Sequence, residues 1–81
     1  MPWTLKQADG THTQIGTSAG NRQDEDNGTF WVTGWNQAAR DAVDVDGSYF
    51  LQAPNESHWK SVEVKEKGGG GAGGIRFKLN T

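Results

Sequence analysis

The chain has no cysteine and no apolar run of membrane-spanning length, and each absence excludes something. Without cysteine no disulfide can staple the fold. A domain of 81 residues buries only somewhat more than about 60% of the surface its unfolded chain exposes, so the few apolar residues present must do the stapling. A transmembrane helix needs about 20 mostly apolar residues in a row, and none is present. The opening Met1-Pro2-Trp3-Thr4-Leu5-Lys6 lacks the apolar stretch of a signal peptide, so a soluble protein is expected. The lack of cysteine fits the cytosol without excluding the outside of the cell, which leaves localisation unknown. Eight basic and ten acidic side chains give a formal net charge of -2, an excess too small to steer nucleic acid or an anionic membrane. Neither is expected as a partner.

Catalytic and metal-binding patterns are missing too. His12 and His58 are far apart in sequence and stand in no zinc-binding spacing, and Ser48, Ser57 and Ser61 lack a nucleophile elbow. The aspartates invite a calcium reading, which fails on inspection. Setting Gly47 at the obligatory glycine of an EF-hand loop puts Ala42 first and Ala53 last, and setting Gly28 there puts Gln23 and Gly34 at those ends, where carboxylates are required. An irregular oxygen site drawn from Asp24, Asp26, Asp41 or Asp44 is the residual alternative. Gly69, Gly71 and Gly74 match the G-x-G-x-x-G spacing of a dinucleotide turn, but strand-like Ile75-Arg76-Phe77 follows where a helix is needed. The expectation is a domain that is not an enzyme and carries no metal or cofactor.

Twelve glycines, many threonines and period-two alternation in nearly every apolar segment predict an all-β fold. About six antiparallel strands joined by hairpins should form one domain over 1–81, a small two-layer β-sandwich or partly open barrel. Trp3 to Gln7 should turn through Ala8-Asp9-Gly10, pairing Trp3 with Ile15 and keeping Leu5 on the same face. Val43-Asp44-Val45 and Ser48 to Leu51 should form a hairpin on an Asp46-Gly47 turn that sets Val43 opposite Phe50. Val62 and Val64, and Ile75, Phe77 and Leu79, alternate with charged residues, so two neighbouring strands should flank a Gly-rich hairpin loop at 68–74. The predicted core is Leu5, Ile15, Val32, Val43, Phe50, Val62, Val64, Ile75, Phe77 and Leu79. Asn36 to Asp41 suits one helical turn capped by Asn36. Residues 17–27, with no large apolar side chain and the run Asp24-Glu25-Asp26, read as a long polar acidic loop.

The functional lead is tryptophan, four in 81 residues. On the strand Thr29 to Trp35, Phe30 and Val32 fall on one face and Trp31 and Trp35 on the other. Only one face of such a strand meets a core. If Phe30 and Val32 point inward, the two indoles form an outer platform, and alternation puts Trp59 opposite Val62 and Val64 as well. Exposed indoles suit the C–H faces of sugar rings, with Asn36, Gln37, Gln52 and Asn55 offering hydrogen bonds to hydroxyls. The Trp-, Asn-, Gly- and Thr-rich composition is similar to that of small β-lectins, a likeness of composition that carries no motif. The expected function is lectin-like carbohydrate binding by Trp31, Trp35, Asn36, Gln37 and Trp59. The alternative is a protein-interaction module, an inhibitor or structural subunit, whose aromatics bury against a protein partner or in a homo-oligomer. Asn27-Gly28-Thr29 and Asn55-Glu56-Ser57 match the glycosylation sequon.

Overall fold

A computed structural model describes residues 2–8, 13–68 and 74–80. Its strands are β1 (Trp3–Gln7), β2 (Gln14–Ser18), β3 (Arg22–Asp24), β4 (Thr29–Val32), β5 (Ser48–Gln52), β6 (Lys60–Lys67) and β7 (Ile75–Leu79), and a short helix α1 (Gln37–Ala42) lies between β4 and β5. All seven belong to one antiparallel sheet in the order β2-β1-β5-β6-β7-β4-β3. The all-β class is as expected, with seven strands in place of about six.

That order forces the sheet to close. Six spacings of about 4.8 Å would hold the two end strands of a flat sheet roughly 29 Å apart. Yet β2 and β3 are joined by residues 19–21 alone, a link that spans at most about 14 Å. The sheet therefore curls into a barrel, and the chain from 14 to 24 acts as one bent strand serving both of its sides. Residues 14–18 pair with β1, residues 22–24 pair with β4, and the two halves meet at a bridge between Ser18 and Trp35. Asn36 N–H donates to Thr17 C=O at 2.9 Å, Thr33 N–H donates to Asn21 C=O at 3.1 Å, and the Ser18 hydroxyl donates to Thr33 C=O.

The inside of the barrel is one apolar cluster. Leu5, Val32, Val43, Val62, Val64, Ile75 and Phe77 are buried as expected, joined by Trp3, Phe30, Trp35, Ala39, Tyr49 and Leu51. Ile15 and Leu79 are only partly buried against it. The displacement of Ile15 has a cause in the register: Leu5 faces Gly16 and Lys6 faces Gln14, so Ile15 is the extra residue of a bulge. Trp3 accordingly lies opposite Ser18 and not Ile15. The inward position must be glycine because α1 packs there. A Cβ on Gly16 would stand 2.5 Å from the Ala39 Cβ. The helix begins as the sequence suggests, with the Asn36 side chain accepting from Ala39 N–H at 2.9 Å.

The expected hairpin from Val43 to Leu51 is not formed. Val43 ends α1, and Asp44 to Gly47 makes a turn, closed by Gly47 N–H to Asp44 C=O at 3.0 Å, that docks on Val64. In β5 the parity is opposite to that expected, with Tyr49 and Leu51 inside and Phe50 half-buried on the outer face. Tyr49 can lie inside because its hydroxyl accepts from Asp44 N–H at 2.7 Å, satisfying a polar atom that burial would otherwise strand. The polar segment 17–27 is not one loop, since Thr17 and Ser18 end β2 and residues 22–24 form β3. At the other hairpin, Gly68 N–H donates to Gly74 C=O at 2.7 Å. The turn expected at Asp9-Gly10, with His12, and most of the Gly-rich loop lie outside the described residues. No described helix is long and apolar enough to cross a membrane.

Phe77 stands fully buried against Phe30 and Trp35 at ring-centroid distances of 5.8 and 5.9 Å. Phe77→Ala should cost about 3–5 kcal/mol, close to the whole stability of such a domain. Phe50→Ala, on the outer face, should cost clearly less. Thermal melts of both variants check this, and equal losses would contradict the inward and outward assignments.

Candidate functional site

The outer face of the barrel carries one indole set in a ring of hydrogen-bonding groups. Strand pairing aligns Gln23 of β3, Trp31 of β4, Arg76 of β7 and Glu66 of β6 in a single row across the sheet. Neighbouring side chains in such a row lie about 5 Å apart at Cβ, within mutual reach. Trp31 is half-buried, and its indole N–H donates to the Glu25 carboxylate. The Arg76 guanidinium stands 5.8 Å from the Trp31 ring centroid, a cation–π distance, and forms ion pairs with Glu25 at 3.5 Å and Glu66 at 3.4 Å. Thr29 adds a hydroxyl that donates to the same Glu25 carboxylate at 3.4 Å. Arg76 covers the β7 side of the indole. On the β3 side stands Gln23, exposed and on an edge strand, so that side is open.

Local sequence explains the arrangement. Alternation on β4 sends Phe30 and Val32 inward and Trp31 outward, and Glu25 N–H donates to Thr29 C=O at 2.9 Å, which holds Glu25 beside the strand. The Asp26-Asn27-Gly28 turn between them has Gly28 at φ 75°, a left-handed conformation that glycine adopts without strain. Neither Glu25 nor Arg76 stood out in the sequence. The outward parity of Arg76 is readable from its alternation with Ile75 and Phe77. Glu66 shares the parity of inward Val62 and Val64 and reaches the outer row only through a bulge between Val64 and Glu66, and which strand lies beside Trp31 depends on the long-range order of the sheet.

The other expected site residues do not join Trp31. Trp35 is buried, 5% exposed, with its ring edge-on to Phe77 and its indole N–H without a partner among the described residues. The expected outer pair of indoles is therefore not formed. Alternation ends at Val32, and Gly34 takes φ 80°, so the chain turns before Trp35 and delivers its side chain inward across the seam. Asn36 is committed to capping α1 and to a 3.3 Å bond from its amide to the Thr17 hydroxyl. Gln37 donates to Asp41 at 2.7 Å and lines a cleft of about 190 Å³ with Arg40, Lys67 and Ile75. There Arg40 donates to Gly68 C=O at 2.6 Å and Lys67 to Val43 C=O at 2.9 Å, so both cations tie α1 and its C-terminal end to the strands.

Trp59 does lie on the outer face, half-buried, with the Lys6 ammonium 4.4 Å from its ring centroid. It stands just before β6 and seven positions before Glu66, which at the rise of an extended chain separates it from Trp31 by roughly 20 Å. The two indoles cannot hold one small ligand. Among the described residues no three His, Asp or Glu side chains are grouped to hold a metal ion, so Asp24, Asp26, Asp41 and Asp44 do not converge. Asp24 instead pairs with Arg22 at 2.6 Å, and Arg22 lies 4.1 Å over the Phe30 ring.

Comparison with protein-family models, with curated proteins and with solved structures finds no match to this chain.

The two indoles of the 31–35 segment should respond oppositely to truncation. Trp35→Ala should cost about 3–5 kcal/mol and leave the domain largely unfolded, whereas Trp31→Ala should cost on the order of 1 kcal/mol. Urea denaturation followed by circular dichroism measures both. Similar losses in the two variants would contradict their assignment to opposite faces.

Proposed function

We propose that this domain is a non-catalytic binding module that takes carbohydrate on the outer face of β3, β4 and β7, with Trp31 as its stacking platform. One observation carries the reading: a half-buried outward indole whose β3 side is open, with Gln23, Glu25 and Arg76 around it. A sugar ring offers an apolar C–H face to the indole and a rim of hydroxyls. Carboxylates accept from those hydroxyls, a guanidinium donates to them, and a primary amide does both. These surroundings are charged and hydrogen-bonding, which suits a hydroxyl-rich ligand better than an apolar protein surface. Glu25 and Arg76 are already held by each other and by Trp31, so little ordering would be needed on binding. Trp35, Asn36, Gln37 and Trp59 have no part in this site.

A protein-interaction role is the second reading, and the fully exposed edge strand β3 favours it.

The test is binding to a broad panel of immobilised glycans. The intact domain should bind a subset, Trp31→Ala should lose that binding while keeping its fold, and Trp59→Ala should bind as the parent does. No binding by the parent would overturn the carbohydrate reading. Equal binding by Trp31→Ala would overturn the site.

A further inference from the structure

The bent strand that closes the barrel leaves one stretch of backbone open, and that stretch is complementary to itself. Antiparallel ladders alternate, so a residue that bonds to one neighbour directs its N–H and C=O toward that side only. Asn21 C=O and Glu25 N–H are bonded to Thr33 and Thr29 of the β4 segment, and Gln23 is paired with Trp31 between them. Arg22 and Asp24 therefore direct their N–H and C=O away from β4. Nothing pairs with those groups among the described residues, because β3 ends the strand order. On the corresponding side of β2, Thr17 C=O accepts from Asn36 N–H and Ser18 is bridged to Trp35. Residues 21–28 are exposed throughout, so β3 is accessible to another chain.

We infer that β3 is a self-association edge, and that its partner is β3 of a second copy of this chain, paired antiparallel about a two-fold axis at Gln23. In that register Arg22 faces Asp24 of the second copy, and Asp24 faces its Arg22. The outward N–H and C=O groups of 22 and 24 then form four hydrogen bonds between the chains, as the alternation of the ladder requires. Each guanidinium lies directly across from a carboxylate, the favourable cross-strand arrangement. Glu25 falls opposite Asn21 and Asp26 opposite Gly20, so no acidic side chain of the Asp24-Glu25-Asp26 run meets another. A register shifted by two residues would set Asp24 against Asp24 or Arg22 against Arg22. Charge thus selects one register and one occupant, an isologous copy of the same strand. The pairing continues the sheet from one barrel into the next and brings the two Trp31 rows together through Gln23.

This contact is short, so the dimer is weak, with a dissociation constant on the order of 0.1–1 mM. Sedimentation equilibrium of the intact protein up to about 1 mM should show the average mass rising toward two chains. Arg22→Asp sets carboxylate against carboxylate and should abolish the rise, and so should Asp24→Arg, which sets guanidinium against guanidinium. The combined Arg22→Asp/Asp24→Arg variant restores complementarity and should restore the dimer. In the unaltered protein, the amide protons of Arg22 and Asp24 should exchange fast in dilute solution and slow at least severalfold at high concentration. Those of Gln23 and Glu25, bonded to β4, should change less. A single-chain mass at every concentration would overturn the inference, as would a dimer indifferent to the charge reversals or exchange at 22 and 24 independent of concentration. The inference is independent of the carbohydrate reading, since Trp31→Ala should leave the dimer in place.

Discussion

The structure depends on one constraint, that three residues join the two outermost strands of a seven-stranded sheet. An open sheet of this size would expose half of each strand and two edges, and a chain with no disulfide and so few large apolar residues could not stabilise it. Closing the sheet solves both problems. All inward side chains meet in one cluster, with Phe77 of β7 packed on Phe30 of β4 and on Trp35 from beyond the seam. Most of the edge backbone disappears into the pairing of Ser18 with Trp35 and its neighbours. The short stretch at Arg22 and Asp24, on the end strand β3, finds no strand partner among the described residues. Charge on an exposed edge is the usual protection against indiscriminate pairing, and in the proposed self-pairing the same charges would accept their own copy.

Closure also decides the chemistry of the surface. By drawing Trp35 across the seam it removes from the outside the indole that alternation would place beside Trp31, and what remains there is a lone ring among Gln23, Glu25 and Arg76. Trp59 stands at the other end of β6 under Lys6. The candidate site is therefore one aromatic position and its polar neighbours, which come from β3, from the segment that follows it and from β7.

Much of this was legible in the sequence where the information is local. Period-two alternation put Val62 and Val64, then Ile75 and Phe77, on the inner face, and the side chain of Asn36 marked the start of a helix. The misreadings share a cause, which is that a tertiary contact outweighs the local pattern. Ile15 yields its inward place to Gly16 because Ala39 needs the space. Phe50 yields to Tyr49 because Asp44 N–H lies within reach of the tyrosine hydroxyl. Residues 22–24 look like loop, having no apolar side chain, but an edge strand needs only one bonded neighbour and can cover the core rim with the Arg22 side chain. At the candidate site Trp31 was visible from its parity alone. Glu25 and Arg76 were not, because they are 51 positions apart and only the sheet order brings them together.

The most direct test of closure is the proton contact across the seam. Asn36 N–H bonds to Thr17 C=O, so Ser18 and Trp35 form the adjacent pair that exchanges no hydrogen bonds, in which the two Cα atoms approach to about 4.5 Å and their α-protons come closest. A nuclear Overhauser spectrum of the protein in solution should show a strong cross-peak between the α-protons of Ser18 and Trp35. Its absence, with the α-proton contacts within the β4 and β7 ladder intact, would mean that the sheet is open and would contradict the account.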